Sequence, residues 1–191
     1  MADELVRLVD HAEARLVVAA GDVRALQLLR EELPDEVLDR LEVVEGGRSP
    51  DGSADGLVAE VDRLVERAVA QDTDRLLATF RQELGQGDQA VDGPDRTLEA
   101  LAMAQVDVLL VHDDADDDRQ AWFGPDPAHV AISEDTVAAI GVDHPRPARL
   151  VDVSVRAALG TGAGVRVVPA DAATGGIGAV LRWSPGATAG P

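Results

Sequence analysis

The feature that most constrains the fold is a long run of helical periodicity near the middle of the chain. Over residues 57–84, apolar side chains recur at the intervals of a helix, and only the polar stretch 71–74 could interrupt them. A continuous helix of about 30 residues is about 45 Å long at ~1.5 Å per residue. A helix of that length, apolar on two sides, predicts a connector between two domains.

The residues before this helix have the pattern of half an α/β domain. A helix is predicted over residues 4–12 and a buried strand over residues 15–20 (RLVVAA). Asp22 is placed to cap a helix that ends before Pro34, and a short helix then leads to a second strand, LEVV. The result is one strand–helix–strand unit.

The residues after the long helix predict a complete second domain. It contains a helix over residues 96–104 and a central strand over residues 106–112. Further strands are predicted at residues 120–124 and 165–168, with two helices between them, and the stretch TGGIGAVLRW closes the domain. Alternating helices and strands of this kind indicate an α/β fold built as an α-β-α sandwich.

Turn-rich and polar segments set the predicted boundaries. The segment EGGRSPDGSADG, residues 45–56, breaks the pattern before the long helix. We therefore predict four regions of the chain: a first unit, a linker with the long connecting helix, the sandwich and a flexible tail, over residues 1–47, 48–89, 90–184 and 185–191.

Composition excludes several classes of protein. Only 2% of the residues are aromatic, so the core must consist of Val, Leu and Ala, and the absence of Cys excludes disulfides and thiolate chemistry. The 36 acidic residues against 17 arginines give a net charge of -19, which disfavours binding to phosphate backbones. No apolar run approaches the length of a signal peptide or membrane span, so a soluble, cytoplasmic protein without membrane contact is expected.

The acidic loop DDADDD is the best candidate for a metal site, and it fits poorly. Asp114, Asp116 and Asp118 alternate as in a calcium-binding EF-hand loop. Arg119, however, occupies the position where that loop needs Gly, and Pro125 occupies the position of its final Glu. We therefore predict a solvated loop and no metal.

Other polar residues form no catalytic pattern. The four histidines are scattered, and only His112, at a strand end, has a position typical of a functional residue. Gly21 followed by Asp22 is a weak phosphate-binding signal, because the Asp22 carboxylate would repel the ligand. No serine lies in a nucleophile-elbow pattern, so no catalytic residue and no cofactor are predicted.

Two segments of the second domain together resemble a known family. TLEALAMAQVDVLLV, residues 97–111, and GGIGAVLRW, residues 175–183, resemble the third domain of archaeal and eukaryotic class-1 peptide release factors and of Pelota. The family pattern is L-x-A-L-x-x-G-A-V-x-x-L-L, with a closing strand G-G-I-G-x-x-L-R-Y. This sequence departs from it in having Ala104-Gln105 for Gly-Ala and Trp183 for Tyr.

The resemblance covers residues 15–183, because the upstream strand–helix–strand unit resembles the end of the family's middle domain. Arginine-rich usage and the WFGP element, residues 122–125, are similar to the family's bacterial branch, which includes the hibernation factor Balon and a mycobacterial group. The family's Gly-Gly-Gln loop does not occur in the sequence. The resemblance thus implies the C-terminal part of a longer factor, or a truncated reading frame, without peptide-release activity.

The function implied by the resemblance is that of a non-catalytic translation-factor module. Such a module docks a translational GTPase of the elongation-factor type and, in the full-length protein, the ribosome, in termination, rescue or hibernation. Arg182 and Trp183 are the implied partner-binding residues, whereas Gly175, Gly176 and Gly178 are expected to give the strand room against a helix. The alternative is an RNA-binding module of the related ribosomal-protein sandwich type, which the acidic charge disfavours.

The strand–helix–strand unit also predicts self-association. Parallel strands are normally covered on both faces and flanked by other strands. As half of a domain, residues 1–47 should expose strand edges or apolar surface that favour dimers or aggregates, whereas residues 90–184 should stay monomeric.

Overall fold

The computed structural model of the chain describes residues 2–44 and 55–184. The chain divides between Asp72 and Thr73 into two compact units. The predicted flexible tail and most of the predicted turn-rich break lie outside the described residues. The predicted domain boundaries stay predictions.

The first unit contains a two-stranded parallel sheet with helices around it. Its elements before the long helix are α1 (Ala2–His11), β1 (Val17–Ala20), α2 (Val23–Glu32), α3 (Asp35–Leu38) and β2 (Leu41–Val44). Val17 pairs with Leu41 and Ala20 with Val44. The side chain of Asp22 accepts the N–H groups of residues 24 and 25, which is the predicted N-cap of α2.

The long helix α4 runs from Asp55 to Gln86 as one continuous element of 32 residues. The polar stretch at residues 71–74, where an interruption was possible, does not interrupt the helix. Polar residues such as Asp and Thr cost a helix only a few tenths of a kcal/mol each, so their presence alone does not end it. The division between the two units falls within this helix.

The second unit consists of a four-stranded sheet, a three-stranded sheet and three helices besides α4. Its elements are β3 (Ala90–Asp92), α5 (Pro94–Ala102), β4 (Val106–Val111), β5 (Gln120–Phe123), β6 (Val130–Ala131), α6 (Glu134–Ala139), β7 (Arg146–Arg149), α7 (Leu150–Gly160), β8 (Gly164–Val167) and β9 (Ile177–Leu181). The strand orders are β3-β9-β4-β8 and β6-β5-β7. The short strands β3, β6 and β7 were not predicted.

Helices cover both faces of the four-stranded sheet. Successive side chains of a strand point to opposite faces, so each strand contributes to the packing on both sides. On one face, Leu109 of β4 and Ile177 of β9 lie in a cluster with residues of α5 and α7. On the other, Leu110 and Val180 lie in a cluster with Phe80 of α4. The predicted α/β class and the predominantly aliphatic core are confirmed.

The sheet of the first unit lacks the neighbours that parallel strands usually have. Among the described residues, β1 pairs only with β2, so each strand has one unpaired edge. The prediction that residues 15–20 are buried is wrong, because β1 is half-exposed with a single neighbouring strand. Large apolar side chains of this unit are also exposed: Leu8 by 59%, Val23 by 64% and Leu28 by 57%.

These exposed groups generate a prediction about self-association. At high micromolar concentration and physiological salt, the chain should show a concentration-dependent mass in light scattering, because unpaired strand edges and apolar side chains favour association. The double variant Val23→Ser/Leu28→Ser should reduce that mass toward the monomer. Leu159→Ser, which removes a side chain 63% exposed in the second unit, is the matched control and should change nothing. A monomer at every concentration would contradict the prediction.

Candidate functional site

The closing stretch of the second unit divides into a turn and a strand. Residues Thr174–Gly176 form a 3-10 turn, and β9 begins only at Ile177. Gly175 and Gly176 have φ values of 61° and 71°, which side chains other than glycine rarely adopt. The two glycines therefore precede the strand, in contrast to the prediction of one strand containing all three.

Gly178 lies within β9, where the backbone passes close to α4. A Cβ atom on Gly178 would lie 2.9 Å from Cζ of Phe80 and 3.1 Å from the carbonyl oxygen of Val91. Ordinary carbon–carbon contacts lie near 3.5–4.0 Å, so no side chain fits without a shift. Phe80 itself is 1% exposed and cannot move freely.

Arg182, directly after β9, joins the C-terminal ends of two helices. Its guanidinium donates hydrogen bonds to the carbonyl oxygens of Ala104 at 3.3 Å, Thr161 at 3.2 Å and Gly162 at 2.7 Å. Carbonyls at a helix C-terminus carry partial negative charge, so the cation is stabilised there. Trp183 follows as a half-buried side chain. The partner-binding role of Arg182 and Trp183 stays a prediction.

The end of α5 has a backbone conformation that accounts for the Gly of the family pattern. Ala104 has a φ of 52°. Its N–H bonds to Leu101 O at 3.0 Å, and that of Gln105 bonds to Ala100 O at 3.0 Å. This is the Schellman arrangement, in which the residue with positive φ is usually Gly. The Gly of the family pattern would adopt this conformation without strain, whereas Ala104 adopts it at a steric cost.

His112 has a structural environment at the end of β4. Its ring Nδ1 lies 3.2 Å from the carbonyl oxygen of Val168, and its backbone N–H donates to Gly176 O at 2.8 Å. The residue thus links the ends of β4 and β8 to the turn before β9.

Two arginines organise the acidic loop. Arg119 donates to both carboxylate oxygens of Asp117, at 2.8 and 2.6 Å, and to Gly175 O at 2.7 Å. Arg149 donates to the backbone carbonyls of Asp114 and Asp117. The hydrogen bond from Arg119 lowers the pKa of Asp117 from 3.8 to about 2. Within residues 2–44 and 55–184, no three carboxylate, His or Cys side chains are grouped so as to hold a metal ion.

A further cluster of side chains was missed because the strand β7 was not predicted. Arg146 of β7 and Arg156 of α7 both lie over the ring of Phe123 in β5. The signal available in the sequence is the pair of prolines around Arg146, Pro145 and Pro147. Proline is tolerated in an edge strand, and β7 is at the edge of the small sheet.

Comparison with known proteins finds similarity to release factors. Residues 1–86 match the family model of bacterial archaeo-eukaryotic release factor family 2. The uncharacterized proteins Rv2629 and MT2704 of Mycobacterium tuberculosis, from strains H37Rv and CDC 1551, are each 28% identical to the chain over 192 residues. These alignments cover 96% of the chain and 50% of each relative, so the chain spans about half the length of these proteins.

A solved structure shares the fold. The model of ribosome-bound archaeal Pelota and ABCE1 contains a chain that matches with a TM-score of 0.57 at 16% identity, over 96% of this chain and 47% of that chain. The predicted resemblance to the Pelota-like release factors, including a bacterial branch, is confirmed. Across the described ranges, no helix has both the length and the apolar character needed to cross a membrane.

The packing at Gly178 gives a stability prediction. Gly178→Ala should lower the free energy of unfolding of the second unit by about 1–3 kcal/mol, because the new methyl group overlaps buried Phe80 and the Val91 carbonyl. Gly164→Ala in β8 is the matched control, since a Cβ there would meet no atom closer than 3.7 Å. Urea unfolding followed by circular dichroism measures both variants. Equal effects of the two substitutions would disprove the role given to Phe80.

The ion pair in the acidic loop gives a pH prediction. The folded pKa of Asp117, about 2, is below the ordinary value of 3.8. Its ionised form therefore contributes stability above about pH 4, and this contribution is lost as the pH falls toward 2. Carbon NMR of the Asp117 carboxyl should give a midpoint near 2, and Arg119→Gln should raise it toward 3.8. A midpoint that does not move in the Arg119 variant would show that another group lowers it.

Proposed function

We propose, from its resemblance to Pelota-like release factors, that this chain is a non-catalytic part of a translation factor and acts in the cytoplasm by docking a translational GTPase. The observation that carries the proposal is the combination of the family match over residues 1–86 with a fold likeness over 96% of the chain to ribosome-bound Pelota. By analogy with that complex, the full-length protein would act on the ribosome. Termination, rescue and hibernation are all compatible with this role.

The proposed docking surface surrounds the end of β9. Arg182 fixes the ends of α5 and α7 beside one another through its three carbonyl contacts. Trp183 is half-buried next to it, and Met103 at the end of α5 is 57% exposed. Trp, Arg and Met are enriched in protein interfaces, and Trp and Arg often carry much of the binding energy.

The proposed role requires no catalytic activity of this chain. Gly-Gly-Gln does not occur in its sequence. The two polar residues singled out by the sequence, His112 and Arg182, have backbone carbonyl partners that give them structural roles. Peptidyl-tRNA hydrolysis by the chain on programmed ribosomes should therefore not exceed the buffer rate, and hydrolysis above that rate would contradict a non-catalytic role.

Binding to a GTPase can be tested directly. Elongation-factor-type GTPases from the same organism, loaded with GTP or GDP, should bind the immobilised chain in at least one nucleotide state. Trp183→Ala should weaken that binding about 30-fold, which is the effect of losing ~2 kcal/mol at an interface hot spot. Ile140→Ala, which shortens a side chain 52% exposed at the end of α6, is the control and should leave binding unchanged. The proposal fails if no GTPase binds, or if the chain binds ribosomal RNA without a GTPase.

A further inference from the structure

The small sheet β6-β5-β7 holds two arginines over one aromatic ring. Phe123 of β5 stands directly opposite Arg146 of β7 in the antiparallel pair. Cζ of Arg146 lies 5.1 Å from the centre of the Phe123 ring, and Cζ of Arg156, from α7, lies 5.0 Å from it. Both distances are within the ~6 Å range of cation–π attraction. The ring therefore holds two positive charges close together.

Within residues 2–44 and 55–184, neither arginine forms an ion pair with a carboxylate. Nη2 of Arg156 donates to the carbonyl oxygens of Gly124 at 3.1 Å and Pro125 at 2.7 Å. Its Nη1 is buried and has no hydrogen-bond partner in the described part of the chain. Among those residues, no ion pair includes Arg146 or Arg156, although acidic residues outnumber arginines 36 to 17. Buried donors are nearly always paired, so an unpaired Nη1 is unusual.

The turn beside Arg156 has a second unpaired nitrogen. Nδ1 of His129 is buried without a hydrogen-bond partner among the described residues. His129 belongs to the same turn as Gly124, whose N–H donates to the His129 carbonyl at 2.8 Å. The carboxylate of Asp126, also in this turn, accepts the N–H of Ala128 at 2.8 Å.

We infer that Arg146 and Arg156, beside the turn at residues 124–129, form a binding site for a single carboxylate side chain of a partner protein. A carboxylate matches the planar guanidinium group and accepts two parallel hydrogen bonds from it. Bound beside the exposed Arg146, it would reduce the repulsion between the two arginines.

The surroundings favour a carboxylate over a nucleic acid. Proteins that bind single strands stack bases on free aromatic faces and neutralise several phosphates. Phe123 is already engaged by the two guanidinium groups. Trp122 packs against a cluster that includes Val137 and Val142. Two arginines suffice for one carboxylate, whereas the net charge of -19 would repel the rest of a polyanion.

Fluorescence anisotropy with a fluorescein-labelled peptide that carries a single Glu among neutral residues tests the inference on the full chain. The peptide should bind saturably at low salt, and Arg146→Gln should weaken binding by about tenfold or more, because an exposed cation and its hydrogen bonds are lost. Arg96→Gln, the same change at an exposed arginine of α5, should leave binding unchanged. Arg146→Lys keeps the charge without the planar donor pair and should also weaken binding.

Several results would overturn the inference. One is the absence of saturable binding by the wild-type chain. Another is an equal loss of binding in the Arg96 and Arg146 variants, which would indicate a nonspecific charge effect. Tighter binding of a single-stranded oligouridylate than of the peptide, at the same salt concentration, would assign the site to RNA instead. Circular dichroism of each variant ensures that the comparisons are made between folded proteins.

Discussion

The insertion of β9 between β3 and β4 is the constraint on which the second unit depends. β9 pairs antiparallel with both neighbours, and its side chains alternate between the two clusters that cover the sheet. Gly178 lets this strand approach Phe80 of α4, while Arg182, just beyond its end, bonds to the carbonyls that end α5 and α7. One short segment therefore connects the sheet to helices on both faces.

The sequence predicted the elements whose signals are local. The long helix, the Asp22 cap, the strand at residues 41–44 and the central strand β4 all follow from periodicity and capping residues. The short strands β3, β6 and β7 were missed because two to four residues carry too little alternation to be recognised. The continuity of α4 through residues 71–74 depends on the helix as a whole. It cannot be predicted from these four polar residues alone.

The candidate site was only partly predictable for a related reason. The glycines, Arg182 and Trp183 could be selected because they belong to a recognisable segment. Their geometry depends on residues distant in sequence, such as Phe80 beside Gly178 and Gly162 beside Arg182. The cluster around Phe123 required three elements, and one of them, β7, was not predicted. Contacts between residues far apart in the chain are not encoded in any local pattern.

The central position of β9 also has a consequence for how the chain is made. β3 and β4 are synthesised long before β9, so the middle of the sheet has a gap until Leu181 has left the ribosome. At ~5–20 residues per second, the strand edges of β3 and β4 wait on the order of 10 s for their shared neighbour. The second unit can therefore complete its sheet only at the very end of its own translation, and during that interval the nascent chain presents open edges that chaperones could protect.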